Sequence, residues 1–211
     1  MGLLSRTSVP NKPIFALMHD IEPYHKWRQY YISSEDERSQ FYGESYSEFT
    51  FTKKIYNFFI HPQWDSIGSQ TLYVKNLYTD YEEGVAFIEL IGEWNDCLHN
   101  DVMFIKRELV DNLVHRGIHK YVILCDNVLE FHGSDDSYYE EWWDDVKDED
   151  GWIVFLNLRE HILAEMESLR IQHYVNIGPY LCDFNWRKAH PKFPLQEIET
   201  ILRSSQKQLT T

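Results

Sequence analysis

Tyr121-Val122-Ile123-Leu124-Cys125 and, after an acidic interval, Trp152-Ile153-Val154-Phe155-Leu156 are the two stretches on which the fold turns. Each is a short unbroken apolar run of the kind a strand shows when both of its faces are covered. Between them, Ser134 to Lys147 alternates two properties at helical spacing. Tyr139, Trp142, Trp143 and Val146 fall on one side, and Asp136, Glu140, Glu141, Asp144 and Asp145 fall mostly on the other. Strand, amphipathic helix, strand predicts a crossover joining two neighbouring, parallel, interior strands.

Upstream, Leu72 to Tyr78 and Val85 to Ile91 are β-rich runs separated by the acidic turn Asp80 to Gly84, which predicts a hairpin. Val102, Ile105, Leu109 and Leu113 then mark the buried stripe of a helix, with Asn95 and Asp96 placed to cap its start and Gly117 to end it. Downstream, Asn157 is expected to cap a helix with Leu158, Ile162, Met166 and Leu169 inside, and Ile171 to Val175 to add an edge strand. The tail contains Pro179, Pro191 and Pro194 and a short helix from Leu195 to Leu202. The expected fold is α/β: a mixed sheet over residues 69–178 with helices packed on one face. Residues 1–68 form an aromatic-rich extension packed on that core, and 179–211 a tail. From Phe15 to Trp64 the extension holds 14 aromatic residues, far above the 16% of the chain as a whole, so it is expected to fold against the core or a second subunit. Phe49 to Phe51 and Ile55 to Ile60 read as its strands, and Ser33 to Ser39 as a loop.

The 20 basic and 34 acidic residues leave a net charge of −14, which disfavours nucleic acid and anionic lipid as partners. No apolar run is long enough to cross a membrane, and Met1 to Pro10 lack the stretch an export signal needs. Cys97, Cys125 and Cys182 are odd in number and widely spaced, which fits a reducing compartment. The expectation is a soluble cytoplasmic protein. No glycine-rich phosphate loop occurs among the nine glycines, so neither a nucleotide nor any other cofactor is expected.

The element order resembles the STAS domain of anti-sigma-factor antagonists and of the cytoplasmic ends of sulfate transporters, over about half the chain. The points of likeness are Val85 to Asp96 entering the first helix, Val128-Leu129-Glu130-Phe131 before the second, and Val154-Phe155-Leu156-Asn157-Leu158 entering the third. The chain also looks like a family of uncharacterised bacterial proteins. In the antagonist branch an Asp-Ser-Ser-Gly loop accepts phosphate from a partner kinase. Here Gly133-Ser134-Asp135-Asp136 stands in its place, so the resemblance implies an aspartate at the acceptor position, with Ser134 or Ser137 as a shifted acceptor.

The sharpest chemical feature is the interval from Glu130 to Asp150, with ten acids against one base, Lys147. Like charges at i, i+4, Glu140 with Asp144 and Glu141 with Asp145, each cost a few tenths of a kcal/mol in a free helix. A sequence shaped by stability alone would intersperse lysines. Glu140, Glu141, Asp144 and Asp145 are therefore the candidate docking face for a partner with a basic surface, in a nonenzymatic interaction module. The alternative is a hydrolase or metal-dependent enzyme using His132, Ser134, Asp135 and Asp136, just past a buried strand where α/β proteins place ligands. No metal is assigned there, because the two aspartates also suit a plain capped turn. His19, Asp20, Glu22 and His25 read as packing around Pro23, and His115 and His119 as helix-end residues. Self-association as a homodimer through Phe49 to Ile60 is a further expectation.

Overall fold

The computed structural model describes residues 18, 19 and 21–209. The N-terminal residues on which the export-signal reading rests, and Asp20, lie outside them. Strands β1 (Met18–His19), β2 (Lys54–Ile55) and β3 (Phe58–Ile60) form a small sheet in the order β1-β3-β2. The run Ile55 to Ile60 thus spans the turn of a tight hairpin rather than forming one strand, with Tyr56 in the turn at φ +51°. Phe49 to Phe51 is irregular, and Phe49 is exposed.

The main sheet runs β4 (Asp65–Ser66), β5 (Leu72–Asp80), β6 (Val85–Asn95), β7 (Lys120–His132) and β8 (Trp152–Leu156), in that spatial order. Antiparallel pairing joins β4, β5 and β6; parallel pairing joins β6, β7 and β8. Tyr121 lies opposite Ile153 and Leu124 opposite Leu156, so the two decisive runs are neighbours. β8 is buried on both faces but is the edge strand. Its free side is closed by Asn176, which receives the Phe155 N–H at 3.1 Å and donates its own to Ile153 at 2.8 Å. The residues just before, Ile171–His173, form a 3-10 turn instead of the expected strand.

Alternation along the strands sends side chains into two cores. Ile88, Leu90, Tyr121, Ile123, Ile153 and Phe155 face the three crossover helices. The first crossover consists of α1 (Asp101–Phe104), a wide π-turn (Ile105–Val110) and α2 (Asp111–Val114); α3 (Ser137–Val146) and α4 (Glu160–Ser168) follow in the other two. The predicted stripe of Val102, Ile105, Leu109 and Leu113 is buried, and the π-turn adds Lys106 and Val110 to the buried residues. Gly117, at φ +85°, ends this crossover in a Schellman arrangement, with Ile118 N–H on Leu113 O and Gly117 N–H on Val114 O.

Phe87, Val122, Leu124, Val154 and Leu156 face the other way. The expectation of helices on one face holds for the crossovers only, because α5 (Lys192–Leu209) brings Leu195, Ile198 and Leu202 onto this second face. Trp27 and Trp186, both fully buried, fill the rest of that core edge to face, 5.5 Å apart. The aromatic extension is therefore a layer over the sheet, held at a second point by Trp64 packed with Ile60, Tyr73 and Ile91. Where β5 meets β6, Gly92 at φ +125° lets Thr71 O approach within 2.0 Å of the place a Cβ would occupy.

Candidate functional site

The acidic helix α3 sits on the first face through Tyr139, Trp142 and Val146, all fully buried. Its first turn is anchored by Asp135, whose Oδ1 accepts the Ser137 N–H at 3.0 Å and the Ser137 hydroxyl. Those bonds hold the Asp135 carboxyl below the usual carboxylate range. The four docking candidates divide. Glu141 and Asp145 turn toward the π-turn, where the Lys106 ammonium contacts Asp145 at 2.7 Å, Glu141 at 3.4 Å and Asp111. Arg107 grips Glu141 with both guanidinium nitrogens, at 2.5 and 2.8 Å, and reaches Asp111 at 3.1 Å. The Arg107 guanidinium holds the Glu141 carboxyl below its ordinary range. For Asp111 burial works the other way, but hydrogen bonds from Lys106 and Arg107 leave it lowered as well. Glu140 and Asp144 lie on the exposed side with Asp148, Glu149 and Asp150; Asp144 pairs with Lys147 at 2.6 Å.

Asp111, Glu141 and Asp145 bring carboxylate oxygens within 4.8 Å of one another, a grouping that could hold a cation. The cation among them is the ammonium of Lys106, itself 1% exposed. Sequence reasoning missed this partner although a signal was present: Lys106 stands four residues after Val102 and three before Leu109, on the apolar stripe itself.

The alternative site is differently built. His132 ends β7, and its carbonyl accepts the Asp96 and Cys97 N–H groups at 2.8 and 3.1 Å. Gly133 donates to Glu165 Oε1 at 3.0 Å and accepts from Cys97 Sγ at 2.7 Å. His132, Ser134 and Asp135 are exposed, and among the described residues no hydrogen bond joins the His132 ring to Ser134 or to either aspartate. Ser137, one of the two possible phosphate acceptors, has its hydroxyl on Asp135; Ser134 projects to solvent.

Asp96 ties this end of the sheet together. Its Oδ1 accepts from Val102 N and Trp94 Nε1, at 2.8 and 2.9 Å, and its Oδ2 from the Tyr139 hydroxyl at 2.8 Å. It thus serves the start of the first crossover as expected, although from a loop, since Asn100 is the residue at the cap position. Burial pushes its carboxyl up to about 6 in spite of those bonds. Asn157 is not the cap of α4, a place that Arg159 takes; at φ +59° it bonds Asp126 and the Phe184 backbone instead. Asp126 also accepts from Trp186 Nε1 at 2.9 Å and Arg187 at 2.8 Å, which fastens the tail to β7. Glu22 meets the His61 ring at 3.4 Å.

A second polar centre lies between the aromatic layer and β5. Lys75 and Asp65 form a buried ion pair at 3.0 Å, and the Tyr46 hydroxyl donates to the other Asp65 oxygen. Burial lowers the Lys75 amine and raises the Asp65 carboxyl, each opposed by its partner's charge. Lys75 borders a cavity of about 230 Å³ that Arg28, Ser33, Tyr31 and Tyr46 also line. Its walls come from segments far apart in the chain, so no local pattern announced it.

Comparison of the chain with family models and with curated proteins finds no match. Among the described residues no helix is long and apolar enough to cross a membrane.

Proposed function

We propose that the chain is a nonenzymatic interaction module with a STAS-like core, docking a basic partner surface through the outer side of α3. The observation that carries this reading is the division of the acids. Lys106 and Arg107 engage Glu141, Asp145 and Asp111 from beneath, which fixes the helix, while Glu140, Asp144, Asp148, Glu149 and Asp150 remain outward, with Lys147 pairing with Asp144. A rigid helix presenting a row of solvated carboxylates supplies the charge complementarity that speeds encounter and sets orientation. Docking of this kind weakens steeply as salt rises.

The test is charge reversal at the outer positions alone, Glu140→Lys with Asp144→Lys, which leaves the partners of Lys106 untouched. Proteins captured from cell extract by the wild type at low salt should be lost by the double variant. An unchanged set of captured proteins, with the variant folded, would falsify the docking role.

A further inference from the structure

A chain of net charge −14 offers little to a phosphate unless folding gathers bases in one place, and above the second face of the sheet it does so. Residues 24–31 contain Lys26 and Arg28, residues 186–193 contain Arg187, Lys188 and Lys192, and neither segment contains an acid. The fold lays the two segments together. The Trp27 indole N–H donates to Lys188 O at 2.9 Å, the Tyr24 and Trp27 rings meet Trp186 edge to face at 5.0 and 5.5 Å, and the Tyr30 ring lies 4.3 Å from His190. A cavity of about 400 Å³ opens here, lined by Lys26, Gln29, Arg187 and Lys188 and by Tyr24 and Tyr30, with no carboxylate in its wall. Its bases are unequally engaged. Asp126 holds Arg187 at 2.8 Å, with Glu89 at 3.8 Å. Lys188 has a loose contact, 3.9 Å, with the exposed Glu197. Lys26 is exposed, and its ammonium enters no ion pair or hydrogen bond among the described residues. Tyr30 is 42% exposed.

We propose that this cavity binds a small phosphorylated aromatic ligand of the nucleoside monophosphate class, its phosphate oxygens accepting from Lys26 and Lys188 and its base lying against Tyr30. The lysines offer donors alone, which selects an acceptor ligand. A phosphate monoester carries a charge of about −1.5 to −2 at neutral pH, which two ammonium groups match and a single carboxylate would not use. Arg187, fixed by Asp126 and lying over the Trp186 ring at 4.2 Å, adds positive potential without having to move. Aromatic side chains accept a base by stacking, which favours a planar ligand over an aliphatic one. The volume, about 400 Å³, falls within the roughly 300–1,000 Å³ of small-ligand sites, and the charge of the rest of the chain repels a phosphate backbone that runs beyond the patch. Side chains rather than backbone N–H groups meet the phosphate, so no glycine-rich loop is needed. The cavity belongs to the face opposite α3, and its existence does not depend on the docking role.

Calorimetric titration of the full chain with the four common nucleoside monophosphates, their nucleosides, inorganic phosphate and single-stranded hexadenylate tests the assignment. At least one monophosphate should bind at a single site about tenfold more tightly than its nucleoside and than inorganic phosphate. Lys26→Ala should weaken that ligand about fivefold or more, and Tyr30→Ala about fivefold or more through lost stacking. Both side chains are exposed, so the variants should keep the wild-type melting temperature. The proposal is overturned if no monophosphate binds at millimolar concentration, if nucleoside or inorganic phosphate binds as tightly, or if either variant leaves the affinity unchanged. Tighter binding of hexadenylate than of any monophosphate also overturns it, by making the patch a strand-binding surface.

Discussion

Replacing Glu89 with Gln removes a charge that the fold buries in the middle of β6. Glu89 is 1% exposed, accepts the Tyr24 N–H at 2.8 Å, and has Arg187 no nearer than 3.8 Å. Burial pushes its carboxyl up to about 7, against the Tyr24 hydrogen bond and the Arg187 charge that oppose the rise. The unfolded chain titrates this group near its ordinary value of 4.5. Between those two values the folded protein binds more protons than the unfolded one, so stability falls as pH rises through the window. Integrated from pH 5 to 8, that loss is about 2.5 kcal/mol for this one group. The Gln variant keeps an acceptor for Tyr24 and does not titrate. Urea unfolding of both proteins, followed by tryptophan fluorescence, gives the difference in stability at each pH and cancels the titration of every other group. The variant should gain about 2.5 kcal/mol on the wild type between pH 5 and 8, with an unchanged denaturant slope. A difference that stays flat over that range refutes the reasoning.

Three other outcomes follow from the packing. Gly92→Ala places a methyl 2.0 Å from Thr71 O on a backbone at φ +125°, and should lower stability by about 3 kcal/mol or more in thermal or urea melts. Lys106→Met leaves three converging carboxylates without their shared cation; since those groups are partly solvated, the loss should be about 1–2 kcal/mol, falling when salt is raised. Of the three thiols, exposed Cys97 should react with a disulfide reagent at once, half-buried Cys182 more slowly, and Cys125, fully buried and with its thiol pushed up by burial, only after unfolding. Equal rates for the three would contradict the burial of Cys125.

The central sheet was legible because its strands and crossover helices carry simple periods. Tyr121 to Cys125 and Trp152 to Leu156 pair residue for residue, and the stripe from Val102 to Leu113 lies inside. What escaped reading depends on contacts between distant segments. α5 shows the 3.6-residue period, but nothing local states which face of the sheet it covers; that is decided by the three crossovers filling the other face. Ile171 to Val175 has strand-like composition, yet it is Asn176 that pairs with the β8 edge, through bonds to Ile153 and Phe155. Asn157 looked like a cap because that residue type favours caps, whereas its partners, Asp126 and Phe184, lie 31 and 27 residues away. The charge of α3 was plain from composition. Its division into a tethered and a solvated half was not, since the tether, Lys106, comes from a different crossover. The Lys75 cavity had no sequence signal beyond the aromatic richness of the layer that roofs it.

The second face of the sheet is covered from both directions in the chain, by Trp27 ahead of it and by Leu181, Trp186 and Ile198 behind it. During synthesis, β5 to β8 and their crossovers leave the ribosome before residues 181–202 do. For that interval the nascent sheet presents Phe87, Val122, Leu124, Val154 and Leu156 with half their cover missing, a surface that chaperones bind and that drives unfinished chains together. A chain stopped after residue 178 should therefore be recovered as aggregate.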